Sequence, residues 1–118
     1  EPGEAVRCID YLAPGGTVIV NTQATQPPVA ALQGIDYDGN EALAYLRALP
    51  DVTLVEVDGA AICERAGSPK VLNIALLAAA VDSGALGITR EELEDAVRQR
   101  LHPRFHEMNL RAIMLVFE

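Results

Sequence analysis

The strongest feature of the hydrophobic pattern is the run from Val71 to Val81, in which Asn73 is the one polar residue. Its borders read as helix ends. Ser68 is a capping residue type, Pro69 suits the first helical position, and Gly84 suits the left-handed conformation that closes a helix. A helix apolar on every side has to be surrounded by protein or lipid. From Pro69 to Ser83 it would span roughly 22 Å, short of a bilayer core of about 30 Å. The pattern therefore predicts the central buried helix of a soluble domain. Asn73 is then an amide that must either bond a neighbouring loop or face a cleft.

The rest of the pattern alternates between two periods. Ala5, Val6, Ile9 and Leu12 fall at helical spacing, and Pro14-Gly15-Gly16 ends that helix. Thr17 to Asn21 is a continuous, β-branched run, as expected of a strand covered on both faces. Gln23 to Asn40 is a long connection containing Pro27-Pro28, which favours extended backbone, and is expected to be functional or partly helical. Asn40 is placed to cap a helix with the stripe Ala42, Leu43, Leu46 and Leu49. Val52 to Val57 alternates as a second strand, in which Glu56 marks an open face or a nearby site. Asp58 can cap a segment over 60–65. Thr89 with Glu92 forms a capping box for a helix carrying Leu93, Ala96, Val97 and Leu101. Pro103 opens a last helix to about Phe117.

The predicted order is α-β-α-β-α-α-α-α, which implies crossover units and a parallel sheet. The fold class expected is α/β: a partial doubly wound, mostly parallel sheet with helices on both faces and a helix-rich second half. Two strands make a poor parallel sheet, because such sheets are covered on both faces and draw on several strands. The expectation is that upstream strands are missing or supplied by a partner. Residues 1–118 then form the C-terminal portion of one domain.

Composition narrows the function. The 118 residues are half apolar with a formal net charge of -8. That balance argues against nucleic acid and against an anionic membrane surface. Cys8 and Cys63 have no ligand-like spacing and cannot by themselves hold a zinc ion or an iron–sulfur cluster. Two lone cysteines predict core thiols and a reducing, cytoplasmic setting. No signal peptide or membrane span is expected.

In open parallel sheets ligands bind beyond the carboxyl ends of the strands, where Asn21, Thr22 and Asp58 stand. These residues are either a polar rim for a small molecule or turn and helix caps. Lys70 lies in the first turn of the central helix, where the dipole and free N–H groups attract anions. It is either a ligand contact or a solvated lysine. His102 and His106 have metal-ligand spacing, but Pro103 lies between them, so no metal site is predicted. No catalytic constellation and no glycine-rich phosphate loop is present.

Several pieces in order resemble a known family. These are Tyr11-Leu12-Ala13-Pro14-Gly15-Gly16, the strand Thr17-Val18-Ile19-Val20-Asn21-Thr22, and Pro27-Pro28. They continue with the segment from Ala60 to Gly67, then Gly67-Ser68-Pro69-Lys70 leading to Asn73 and Leu76-Leu77, and the last helix with Asn109. Together they resemble the gamma subunit or domain of the 2-oxoacid:ferredoxin oxidoreductases, including the pyruvate, 2-oxoisovalerate and indolepyruvate enzymes. The family's domain begins with a glycine-rich strand-turn-helix that is lacking here, and it often has Gly where Ala78 stands. The first difference implies that Glu1 falls partway through the domain.

The resemblance implies a component of a complex that oxidatively decarboxylates 2-oxoacids to acyl-coenzyme A and reduces ferredoxin. Thiamine diphosphate and iron–sulfur clusters would reside on other subunits, and none would be bound by this chain alone. The chain would be a packing and gating module with a share in coenzyme A binding. Asn21, Thr22, Lys70 and Asn73 are the candidate cofactor contacts. Partner subunits, ferredoxin through the complex and a possible homodimer follow as expected partners. The rival class is a free-standing α/β small-molecule or nucleotide binding module.

Overall fold

The computed structural model describes residues 1–25 and 28–118 and divides into two compact units, Glu1–Val57 and Asp58–Glu118. Together they form a helix-rich α/β fold.

The first unit opens with α1 (Pro2–Arg7), where the Glu1 carboxylate accepts from the Glu4 N–H at 2.7 Å. The helix predicted through Leu12 stops earlier and tightens into a 3-10 turn, Ile9–Tyr11. Cys8, expected in the core, is exposed at this break. Strand β1 (Thr17–Asn21) pairs in parallel with β2 (Thr53–Val57), in register from Thr17 opposite Thr53 to Asn21 opposite Val57. Parallel strands need a crossover, and α3 (Asn40–Ala48) lies in it. The crossover also contains α2 (Pro28–Leu32), so the long connection is partly helical; Pro28, expected in extended backbone, instead opens this helix, where its missing N–H costs nothing, and the expectation for Pro27 lies outside the described residues.

Val18, Val20 and Leu54 form one face of the strand pair. They pack with Ala5, Val6 and Ile9 from the first helical segment and with Leu43, Leu46 and Leu49. Asn40 does not cap α3. Gly39, at φ +77°, is the cap residue, and Asp38 accepts from the Asn40 N–H at 2.9 Å. Glu56 is held by Arg47 of α3, whose guanidinium Nε donates at 3.0 Å. That pairing explains an acid on the apolar face of the strand pair.

The second unit begins at Asp58, which caps α4 (Gly59–Ala66) by accepting from the Ala61 N–H at 3.0 Å. Gly67, at φ +85°, closes α4, and the N–H groups of Gly67 and Ser68 both return to the Cys63 carbonyl. The apolar run then forms a 3-10 turn, Pro69–Val71, followed by α5 (Leu72–Asp82). Thr89 caps α6 (Arg90–Arg100) as its sequence predicts. A 3-10 turn at Pro103–Phe105 precedes α7 (His106–Phe117).

Helix α5 packs against α4, α6 and α7, so it is central to this unit. Ala78 and Val81 join Leu93, Val97 and Ile113, while Val71 joins Ala66 and Ala112. Its burial is one-sided, however. Asn73 is exposed and Leu77 is 41% exposed. The buried amide of the unit is Asn109, 6% exposed, which donates to the Phe105 carbonyl at 2.8 Å. Among the described residues no helix is long and apolar enough to cross a membrane.

Candidate functional site

The parallel register makes both strands end level, so the carboxyl edge of the pair is formed by Asn21 and Val57. The Thr22 N–H donates to the Val57 carbonyl at 2.9 Å and carries the ladder one residue further. Asn21 is buried, and its side-chain oxygen accepts from the Gln23 N–H at 3.4 Å, a turn that an Asn side chain makes with its own backbone. The Thr22 hydroxyl accepts from the Gln23 side-chain amide at 3.2 Å. The rim is polar, and these groups already bond one another.

Lys70 and Asn73 belong to the second unit. Lys70 is exposed in the 3-10 turn, where its N–H donates to the Ser68 hydroxyl at 3.1 Å. Its ammonium forms no ion pair among the described residues. Asn73 lies one turn further on, exposed, where it neither satisfies a packed interface nor lines a described cleft. The expectation that packing must satisfy its amide is corrected by this exposure. A run with almost no polar residue has no hydrophobic phase, so its pattern cannot show which face is covered. Asp58 is a helix cap.

The remaining candidates serve local structure. His106 Nε2 lies 2.7 Å from the Leu101 carbonyl, and His102 Nδ1 accepts from the Arg104 N–H at 3.1 Å. Burial pushes the Cys63 thiol up from its ordinary pKa, away from the reactive thiolate. Among the described residues no three His, Cys, Asp or Glu side chains meet as a metal site.

Two features were not read from the hydrophobic and polar pattern. The burial of Asn109, which entered through the resemblance alone, is one, although an amide on an otherwise apolar helical stripe is the signal that could have found it. The other is an arginine cleft of about 600 Å³ in the second unit, lined by Arg65, Arg90 and Arg111 with Met114, Leu115, Phe117 and Glu118. Its three arginines come from three different helices, and no spacing rule links them.

A parallel strand pair with a crossover, and helices around it, define a helix-rich α/β protein. Over its whole length, residues 1–118, the chain matches the family model described as pyruvate ferredoxin/flavodoxin oxidoreductase, and it belongs to that family. It is similar to indolepyruvate oxidoreductase subunit IorB of Archaeoglobus fulgidus, with 26% identity over 116 residues, covering 98% of this chain and 57% of that protein. The chain thus spans a little over half the length of this curated relative. No solved structure matches it. The resemblance read from the sequence stands at the level of the family.

Proposed function

We propose that this chain is a gamma-type component of a 2-oxoacid:ferredoxin oxidoreductase complex that converts 2-oxoacids to acyl-coenzyme A. On this reading it packs and gates and does not catalyse alone. The observation that carries the reading is the family match across all 118 residues, supported by a relative whose name designates a subunit. Residues 1–118 are the C-terminal portion of one domain, in which further strands complete the parallel pair β1–β2. The working setting is cytoplasmic, ferredoxin is met through the complex, and a homodimer is one arrangement of the chain within it.

The family resemblance assigns thiamine diphosphate and iron–sulfur clusters to other chains or domains, and for the cluster the donor set here agrees. Exposed Cys8 and partly buried Cys63 supply two of the four thiolates that such clusters take. Coenzyme A fits better. The Lys70 ammonium, in the 3-10 turn before α5 and without an ion pair among the described residues, suits a phosphate. Asn73 offers an exposed amide one turn on, and Asn21 and Thr22 offer polar groups at the strand ends. Coenzyme A would supply the acyl-accepting thiol; Lys70 and Asn73 of the second unit are one candidate contact for it, and Asn21 and Thr22 of the first unit, taken by themselves, are another.

The test is Lys70→Ala in the assembled complex. The expected result is a KM for coenzyme A raised several-fold with the KM for the 2-oxoacid unchanged. An unchanged KM for coenzyme A removes the contact, while activity of the complex without this chain removes the component reading.

A further inference from the structure

We infer that the arginine cleft of the second unit is a binding site for a small organic anion, a carboxylate or phosphate carried on a flat or apolar body. The cleft holds about 600 Å³, within the size range of small-molecule pockets. Its cationic wall is Arg65 from α4, Arg90 from the start of α6 and Arg111 from α7. Its apolar wall is Met114, Leu115 and Phe117.

The charges do not cancel. Arg65 is bonded by the Glu118 carboxylate at 3.1 Å, and Arg90 by Glu94 at 2.7 Å. Arg111 forms no ion pair or hydrogen bond with its side chain among the described residues. One guanidinium charge is therefore left over, in a chain whose net charge is -8. Guanidinium groups match carboxylate and phosphate oxygens in a two-pronged geometry.

Glu118 indicates the chemistry the cleft accepts. It is an exposed side chain placing a carboxylate on Arg65, and a ligand that displaces it finds a second cation. The Arg90 guanidinium already sits 5.3 Å from the centre of the Phe117 ring. A flat ligand body would extend that stack over the apolar wall. The cleft belongs to residues 58–118 alone, so it stands whether or not the chain joins an oxidoreductase.

The test is an NMR titration of the 15N,13C-labelled chain with phenyl phosphate and phenylacetate, with inorganic phosphate as the bare anion. The two phenyl probes distinguish phosphate from carboxylate as the preferred head. Saturable shifts are expected at the Nε–H groups of Arg65, Arg90 and Arg111 and in the Phe117 ring. Arg111→Gln, an exposed position, should leave the spectrum folded and weaken binding at least ~10-fold, as loss of a hydrogen bond to a charged group does. Arg100→Gln, an exposed position outside the cleft, should leave binding unchanged. Absence of saturable shifts, shifts centred on Lys70 and Asn73, or full affinity in Arg111→Gln would overturn the site. Equal affinity for inorganic phosphate and phenyl phosphate would contradict the role given to the apolar wall.

Discussion

Asn73 and Asn109 have the same side chain on two neighbouring helices, and their surroundings set them apart. Asn109 is 6% exposed and donates to the Phe105 carbonyl, whereas Asn73 is open to solvent. Asn109→Asp keeps the shape but turns a buried donor into an acceptor facing a carbonyl, which should cost ~1–3 kcal/mol. Asn73→Asp near the start of α5 should change stability by less than ~0.5 kcal/mol. Urea unfolding of both variants checks the pair. Equal effects would contradict the burial assigned to each.

Glu56 supplies a pH dependence at the same scale. Its bond to the Arg47 guanidinium holds its carboxyl below the usual glutamate range. A folded-state pKa below the unfolded one contributes stability that is present above the unfolded value and is lost as pH falls through the folded value. The stability gap between the native chain and Arg47→Met should therefore be full at neutral pH and close through the acidic carboxylate range. Both partners are partly exposed, so the gap is small and shrinks with salt. A gap constant from neutral to acidic pH would contradict the coupling.

At the scale of elements, α5 is built on small side chains. Ala75 and Ala78 are fully buried and Ala79 nearly so, which lets neighbouring helices approach closely. Ala78→Leu adds volume between Leu93, Val97 and Ile113 and should destabilise by ~1–3 kcal/mol. Leu77→Ala on the exposed face should cost less than ~1 kcal/mol. Thermal unfolding separates the two, and similar losses would mean that α5 is enclosed on both sides.

The elements also show how far the sequence could be read. β1 and the α6 cap were legible because β-branched runs and a Thr-x-x-Glu signal act locally. Helix starts were less so. Ser68 accepts from Lys70, two residues on, and the first turn winds as 3-10 before α5 begins at Leu72. The end of α1 at Arg7 and the exposure of Cys8 likewise depend on where the chain must turn, which helical spacing does not encode. At the candidate site, Asn21 and Thr22 were legible as a strand end, while the bonds they make with Gln23 were not. The arginine cleft was invisible because it assembles from three helices.

At the scale of the whole molecule, charge is distributed unevenly. Residues 1–57 hold two cationic side chains, Arg7 and Arg47, out of the nine in the chain, so the other seven lie in residues 58–118. With eight acids in residues 1–57 and nine in 58–118 the net charges are -6 and -2, so anionic ligands meet less repulsion on the second unit, which carries both Lys70 and the arginine cleft. The first unit supplies a strictly parallel pair of strands, a geometry that elsewhere occurs within larger, doubly covered sheets. The chain that carries this strand pair belongs to the pyruvate ferredoxin/flavodoxin oxidoreductase family.

The most direct measurement is purification of the tagged chain from its native host, followed by 2-oxoacid-dependent ferredoxin reduction with coenzyme A across pyruvate, 2-oxoisovalerate and indolepyruvate. The account predicts that the chain brings down thiamine-binding and iron–sulfur partners, that the assembly turns over at least one of these substrates, and that the isolated chain turns over none. Turnover by the isolated chain, or a pure chain with no such partners, would contradict it.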